Sequence, residues 1–340
     1  MSNIRDVAAY AGVSPATVSR VINHDPRYKI TVETQERVWQ AVAELNYKAP
    51  VSNEERADHT ATIAQAGPGT QKFGCIMNVS GGKYNDPYYL TILSGFEKEL
   101  AEKGYGISFI RSNEELNDSK TLYDTFSNPI NGLVIMNTLN DDVFKYVKKQ
   151  TPYIVGIDTD YSSIDNVAYD HYEAAFLAIM HLREQGYKRI GFIGGFKNRI
   201  PSSRRFNGYY AALHTYGLEY NPDWVVASNW DEDFCAKEIK ALHAKGKLPD
   251  AFFVSSDLMA IAALRALFDL GVSVPGEVAV IGLSNIEISK YSNPPLSTIA
   301  LPIYDMGRVA AQTLLSRIGG DDTPSKVITL HAEVLKRSST

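Results

Sequence analysis

Cysteine is nearly absent. Cys75 and Cys235 are the two in 340 residues, far apart and without a metal-ligating neighbour. That excludes a disulfide framework and a thiolate metal site, and it points to reduced thiols in a cytoplasmic protein. The N-terminus shows no basic-then-apolar leader, and no apolar run approaches the ~20 residues of a membrane span. A cytoplasmic location and no membrane partner are therefore expected. No nucleophile–base pair or metal cluster emerges. The glycine cluster Gly191-Phe192-Ile193-Gly194-Gly195 is not followed at the right spacing by the lysine and hydroxyl of a phosphate loop. No catalytic residue, metal or cofactor is expected.

Positive charge is also scarce, since the net formal charge is −5. Its distribution is uneven. In residues 1–48, Arg5, Arg20, Arg27, Lys29, Arg37 and Lys48 oppose Asp6, Asp25, Glu33, Glu36 and Glu44. That segment carries +1 and the remainder −6. A weakly basic head on an acidic body implies a local phosphate footprint, not general affinity for nucleic acid.

The head reads as short helices. Asn3 is an N-cap with Asp6 three residues on, and Ile4, Val7, Ala8 and Ala11 recur at helical spacing. Gly12 ends that helix. Ser14 caps a second, with Pro15 in its first turn and Val18, Val21 and Ile22 as its inner stripe. Pro15, Ala16, Thr17, Ser19 and Arg20 face outward. This is the layout of a helix-turn-helix, whose second helix enters the major groove by its N-terminal residues. Pro15, Ala16, Thr17 and Arg20 are the candidates for base readout. Asn3, Ser14, Ser19, Asn23 and Thr31 are the candidates for phosphate contact. Thr31 caps a third helix, with Val38, Ala41, Val42 and Leu45 inward and a stop near Asn46-Tyr47. So small a unit has a thin core and should be a satellite of the main body.

Residues 49–70 read as a polar linker ending in Gly67-Pro68-Gly69. From 71, short apolar strands alternate with amphipathic helices near 87–103, 118–127 and 140–149. A second series begins at Asn166-Val167-Ala168-Tyr169, with helices near 171–185, 204–216, 232–245 and 257–270. Alternation of this kind means parallel sheets covered on both faces, here in two doubly wound subdomains. Ligands of such sheets bind at the carboxyl ends of the strands. The residues there are polar and aromatic: Asp86, Tyr88 and Tyr89, then Asn137, Asp158, Arg204-Arg205, Trp230, Ser256-Asp257 and Ser284-Asn285. A sugar needs this mixture of planar donors and acceptors with an aromatic face. Plainer readings stand beside these. Arg205 fits a surface cap or ion pair, Trp230 fits plain core, and Asp257 fits the N-cap of the next helix, leaving Ser256 the better ligand. One of Tyr88 and Tyr89 should face the ligand and the other the core.

Ala11-Gly12-Val13-Ser14, Ala16-Thr17-Val18-Ser19-Arg20-Val21-Ile22-Asn23 and Glu44-Leu45-Asn46-Tyr47 resemble the DNA-binding head of the lactose-repressor/galactose-repressor family of bacterial regulators, and the likeness runs over nearly the whole chain. The resemblance implies a small all-α helix-turn-helix head (1–48), a hinge (49–70) and an α/β periplasmic-binding-protein-like body (71–340). That body would hold an N-subdomain at about 71–168 and 301–323 and a C-subdomain at about 169–300 and 324–340, with chain crossings near 168, 300 and 323. It implies a repressor of double-stranded, pseudo-palindromic operator DNA, controlled by a small sugar in the cleft between subdomains. Arg205, three before Gly208, stands at the family's sugar-binding arginine; Trp230 at its aromatic wall; Ser256-Asp257 at its polar pair; Asp158 at its acid after the fourth strand. Two departures stand out. Ser284 occupies a position where the family often has a carboxylate. The hinge stretch Ser52-Asn53-Glu54-Glu55-Arg56-Ala57 lacks the leucine that wedges into the minor groove. Asn85-Asp86-Pro87-Tyr88-Tyr89 and Ile190–Gly195 look most like the galactoside-responsive branch. One head reads few base pairs, so a homodimer is expected, using the helices near 88–103 and 257–270. No leucine-heptad tail follows Lys336, which favours a dimer over a tetramer.

Overall fold

The computed structural model describes residues 2–23, 28–47, 72–79 and 85–340. The linker at 49–70, with its Ser52–Ala57 stretch, lies outside the described residues. The chain divides into two units, one of Met1–Val167 and Tyr304–Ile328, the other of Ala168–Ile303 and Thr329–Thr340.

The head opens the first unit with α1 (Ile4–Ala11), α2 (Pro15–Ile22) and α3 (Val32–Glu44). Each begins where a side chain satisfies the free amides of the first turn. The Asn3 carboxamide accepts from Arg5 N and Asp6 N, while Asp6 accepts from Asn3 N at 2.7 Å, closing a capping box. Ser14 and Thr31 accept from Thr17 N and Thr34 N. Gly12 leaves α1 at φ +66°, a backbone region that costs a side chain dearly. Val7, Val18, Val38 and Val42 form the centre of the head's core. That core is completed from outside the head. Trp39 packs its ring 5.1 Å from Tyr123, and Gln150 Nε2 donates to Asn46 Oδ1 at 2.8 Å.

Along the body run β1 (Lys72–Met77), α4 (Pro87–Glu102), β2 (Gly106–Ser112), α5 (Ser119–Thr125), β3 (Gly132–Met136), α6 (Asp141–Lys148), β4 (Ile154–Ile157) and β5 (Asp165–Tyr169). Then come α7 (His171–Glu184), β6 (Ile190–Gly194), α8 (Arg204–Thr215), β7 (Val225–Ala227), α9 (Glu232–Ala244), β8 (Ala251–Val254), α10 (Asp257–Asp269) and β9 (Ala279–Ser284). The chain closes with β10 (Ser297–Ala300), α11 (Ile303–Ile318), β11 (Val327–Leu330) and β12 (Glu333–Leu335). The strands form two six-stranded sheets, β11-β5-β4-β3-β1-β2 and β12-β10-β9-β8-β6-β7. β1 to β5 pair in parallel, as do β6 to β10; β12 runs antiparallel to β10. Every residue of β3, β4 and β8 is buried, as strands covered on both faces require.

One strand assignment is corrected. The run at 166–169 was expected to open the second series, yet β5 pairs with β4 through Val155–Asp165 and Ile157–Val167 and so belongs to the first sheet. A strand's sheet depends on distant partners that periodicity does not report. Both cysteines are free and buried, and burial pushes each thiol up to about 12.

In the first unit, α4 and α11 cross backbone to backbone. A Cβ on Gly95 would lie 2.0 Å from Tyr304 O, and one on Gly307 1.9 Å from Ile92 O. The half-exposed Arg308 closes the crossing by donating through Nε and Nη2 to the buried Glu99 at 3.0 and 2.9 Å. The second unit repeats the device: a Cβ on Gly208 of α8 would lie 2.2 Å from Tyr172 O of α7. No helix among the described residues is long and apolar enough to cross a membrane. Gly95→Ala should force the two backbones apart and cost about 1–3 kcal/mol or more. A urea unfolding midpoint equal to the wild type would contradict the crossing.

Candidate functional site

The head presents α2 by its N-terminal edge. Pro15 and Ala16 are exposed, and Thr17, Ser19 and Arg20 are half-exposed. Arg20 does not project alone: its guanidinium carbon lies 3.7 Å from the centroid of Tyr28, whose ring is itself 48% exposed. A cation seated over a ring loses less rotamer freedom when it grips a base. Sequence reading missed Tyr28, which follows α2 outside any periodic run. Asn3, Ser14 and Thr31 are spent first as caps, through their side-chain oxygens. Asn23 donates to Ser19 Oγ at 3.2 Å, so the two phosphate candidates at the end of α2 act as a pair.

The strand ends of the two body units carry the other candidates. Among the described residues, seven non-glycines have positive φ. Six of these follow or end strands: Asn137, Asp158, Asn229, Trp230, Ser284 and Asn285. Left-handed backbone at non-glycine residues is costly and clusters where side chains must be aimed.

In the first unit, Asp86 caps α4, accepting from Tyr88 N at 2.9 Å. Tyr88 OH donates to Asp158 Oδ2 at 3.0 Å, and Asn137 Nδ2 donates to Tyr89 OH. The two rings meet edge to face at 5.0 Å. One tyrosine was expected in the core; instead both are half-buried and both hydroxyls reach the strand-end residues. α4 begins at Pro87, so both rings lie in its first turn beside the rim.

In the second unit, Arg205 donates from Nε and Nη2 to Tyr169 OH at 3.0 and 2.6 Å. Its guanidinium also lies 5.9 Å from the Trp230 ring. Trp230 is 36% exposed, which removes the plain-core reading. The indole lies over Gly195, where a Cβ would come within 2.4 Å of Nε1. Arg205, Trp230 and Gly195 line a cavity of about 290 Å³ with Arg199, Ser202, Ser203 and Ser255. Tyr169, Arg199 and Ser255 were not singled out from sequence. Arg199 and Ser255 were findable, because they lie in the loop after β6 and at the end of β8, where the strand-end rule directs attention.

Asp257 is corrected on both of its readings. Ser256 is the N-cap of α10, without a side-chain cap bond, and Asp257 is the first helical residue, fully buried. Its Oδ1 accepts from Thr298 Oγ1 at 2.7 Å and its Oδ2 from Ile286 N at 3.0 Å, and with no exposed surface it cannot reach a ligand. The carboxylate ties β10 to the loop after β9. Burial raises its pKa to about 6, against the lowering effect of those hydrogen bonds and of Arg337. In the same loop Ser284 is buried, and Asn285 Oδ1 accepts from Arg337 Nη2 at 2.6 Å. Ser256 is half-exposed.

Known proteins match this arrangement along its full length. Residues 3–49 match the model described as bacterial regulatory proteins, lacI family, and residues 179–340 the one described as periplasmic binding protein-like domain. The HTH-type transcriptional repressor PurR of Aliivibrio salmonicida (strain LFI1238) is 31% identical over 347 residues, covering 100% of this chain and 99% of that protein. Among solved structures, the transcriptional regulator CelR–cellobiose complex has a TM-score of 0.73 at 26% identity, covering 100% of both chains. The lac repressor dimer bound to operator and the anti-inducer ONPF has a TM-score of 0.69 at 24% identity, covering 100% of this chain and 99% of that one.

Asp257 generates a pH test. Its folded pKa lies above the unfolded value, so the folded state binds the extra proton and stability falls as pH rises from about 4 to about 6. Relative to Asp257→Asn, the wild type should gain about 3 kcal/mol as pH drops through that window. A difference between the two proteins that stays constant from pH 4 to 7 in denaturant unfolding would refute the buried carboxylate.

Proposed function

The chain belongs to the lacI family of bacterial regulatory proteins and is a DNA-binding transcriptional repressor, and on that premise we propose that a small sugar sets its operator affinity. Galactose or a galactoside is the favoured effector, on the likeness of the segments around Tyr88 and Gly191. The observation that carries the effector class is the second unit's cavity, where an arginine, an indole face and serine hydroxyls converge at strand ends. An indole covers the C–H face of a sugar ring while arginine and hydroxyls take its oxygens. The proposal includes action in the cytoplasm as a homodimer on a pseudo-palindromic operator. The half-buried Leu258 and Ile261 of α10 and the outer side of α4 would supply its surface.

A purine base is the second reading, favoured by the full-length match to the relative named PurR. A planar heterocycle would stack on Trp230 without using the serine hydroxyls. Calorimetry with galactose, a galactoside, glucose and adenine separates the two. Arg205→Ala should weaken sugar binding about ten- to hundredfold, the loss of charge-assisted bonds worth about 1.5–3 kcal/mol. It should leave operator affinity nearly intact, because the head is untouched. Normal sugar binding by Arg205→Ala would remove the assignment.

At the DNA, Arg20 and its Tyr28 support should read a base edge, worth about 1–3 kcal/mol of discrimination. Arg20→Ala is expected to lose affinity for operator while keeping its affinity for random DNA. Asn23→Ala should weaken both alike. Equal losses for Arg20→Ala on the two DNAs in a gel shift would place Arg20 on phosphate instead.

A further inference from the structure

We propose that the effector carries a phosphoryl group, seated in the second unit's cavity against Arg199, Ser255 and the start of α8. The inference rests on the effector reading above and narrows its chemistry.

Three independent features point there. The first is charge. Arg199 and Arg205 line the cavity, and none of its lining residues is an acid. Arg199 is exposed at the cavity, and no ion pair or side-chain hydrogen bond engages its guanidinium among the described residues. A neutral sugar needs acceptors as well as donors from its protein, since each of its hydroxyls is both. A wall of cations and hydroxyls without a carboxylate suits a ligand that mainly accepts.

The second feature is an orphan. Ser255 is 4% exposed and lines the cavity, yet its Oγ has no hydrogen-bond partner among the described residues. Buried hydroxyls are normally paired, so this one marks where a ligand oxygen completes the site. The third is α8, a twelve-residue helix whose N-cap, Ser203, makes no side-chain cap bond. The leading amides at Arg204, Arg205 and Phe206 therefore have no cap, and they begin at the cavity wall formed by Ser202, Ser203 and Arg205. Amides of a first helical turn and an arginine fork are the donor set that a tetrahedral dianion takes. A planar carboxylate would use fewer of these directions.

The test is calorimetry on the full chain at fixed ionic strength. The probes are galactose, galactose 1-phosphate, galactose 6-phosphate, galacturonic acid and inorganic phosphate. One of the two esters is expected to bind at least about tenfold tighter than galactose. Arg199→Ala should cut that ester-over-galactose ratio below about twofold, Arg199→Lys should retain most of it by keeping the charge, and Ser255→Ala should weaken the ester severalfold. Esters no tighter than galactose, or a ratio unmoved by Arg199→Ala, would overturn the phosphoryl assignment and leave the sugar reading standing. Galacturonic acid outbinding both esters would also overturn it, in favour of a carboxylate. Binding of no probe, inorganic phosphate included, would sink both readings.

Discussion

A strand buried on both faces has room only for apolar side chains, so polar chemistry is pushed to where the strand stops. That constraint organises the body. β3, β4 and β8 expose nothing along their lengths. The backbone turns left-handed just beyond β3, β4 and β7 and at the end of β9, at Asn137, Asp158, Trp230 and Ser284. What the turns achieve is orientation: an indole laid over Gly195, and a carboxylate meeting a tyrosine hydroxyl from the first turn of α4.

The head was legible almost to the residue because its determinants are local. Asn3 with Asp6, Ser14 with Pro15, and Gly12 act within one turn, and each does in the structure what its spacing implies. The alternation of strands and helices was legible for the same reason. What escaped depends on distant partners. Asp257 has the sequence neighbourhood of a helix cap, yet Thr298 and Ile286 claim it from far along the chain. β5 reads as the start of a series and closes a sheet instead. Tyr88 and Tyr89 sit adjacent on a helix, so period alone sent one inward. The segment after β9, with α11 and three further strands, gave too weak a period to be read.

Charge completes the division of labour. The acidic body discourages indiscriminate attachment to DNA, so the weakly basic head must find its partner by shape and base contact. Within the same acidic body, the acid-free run from Gln185 to Leu218 is a local inversion of sign. From it, Arg199 and Arg205 line the second unit's cavity. Two segments of locally positive charge thus coexist in a chain whose total is negative.

The contact between Trp39 and Tyr123 bears on how such regulators are recombined. The head's core borrows a ring from α5, and Gln150 reaches Asn46 beside it. A graft that joined this head to another body at the linker would leave an indole facing water and an amide without its partner. The head is therefore not a cassette that travels alone. A chimera built on it must carry Tyr123 and Gln150 across as part of the transplanted surface.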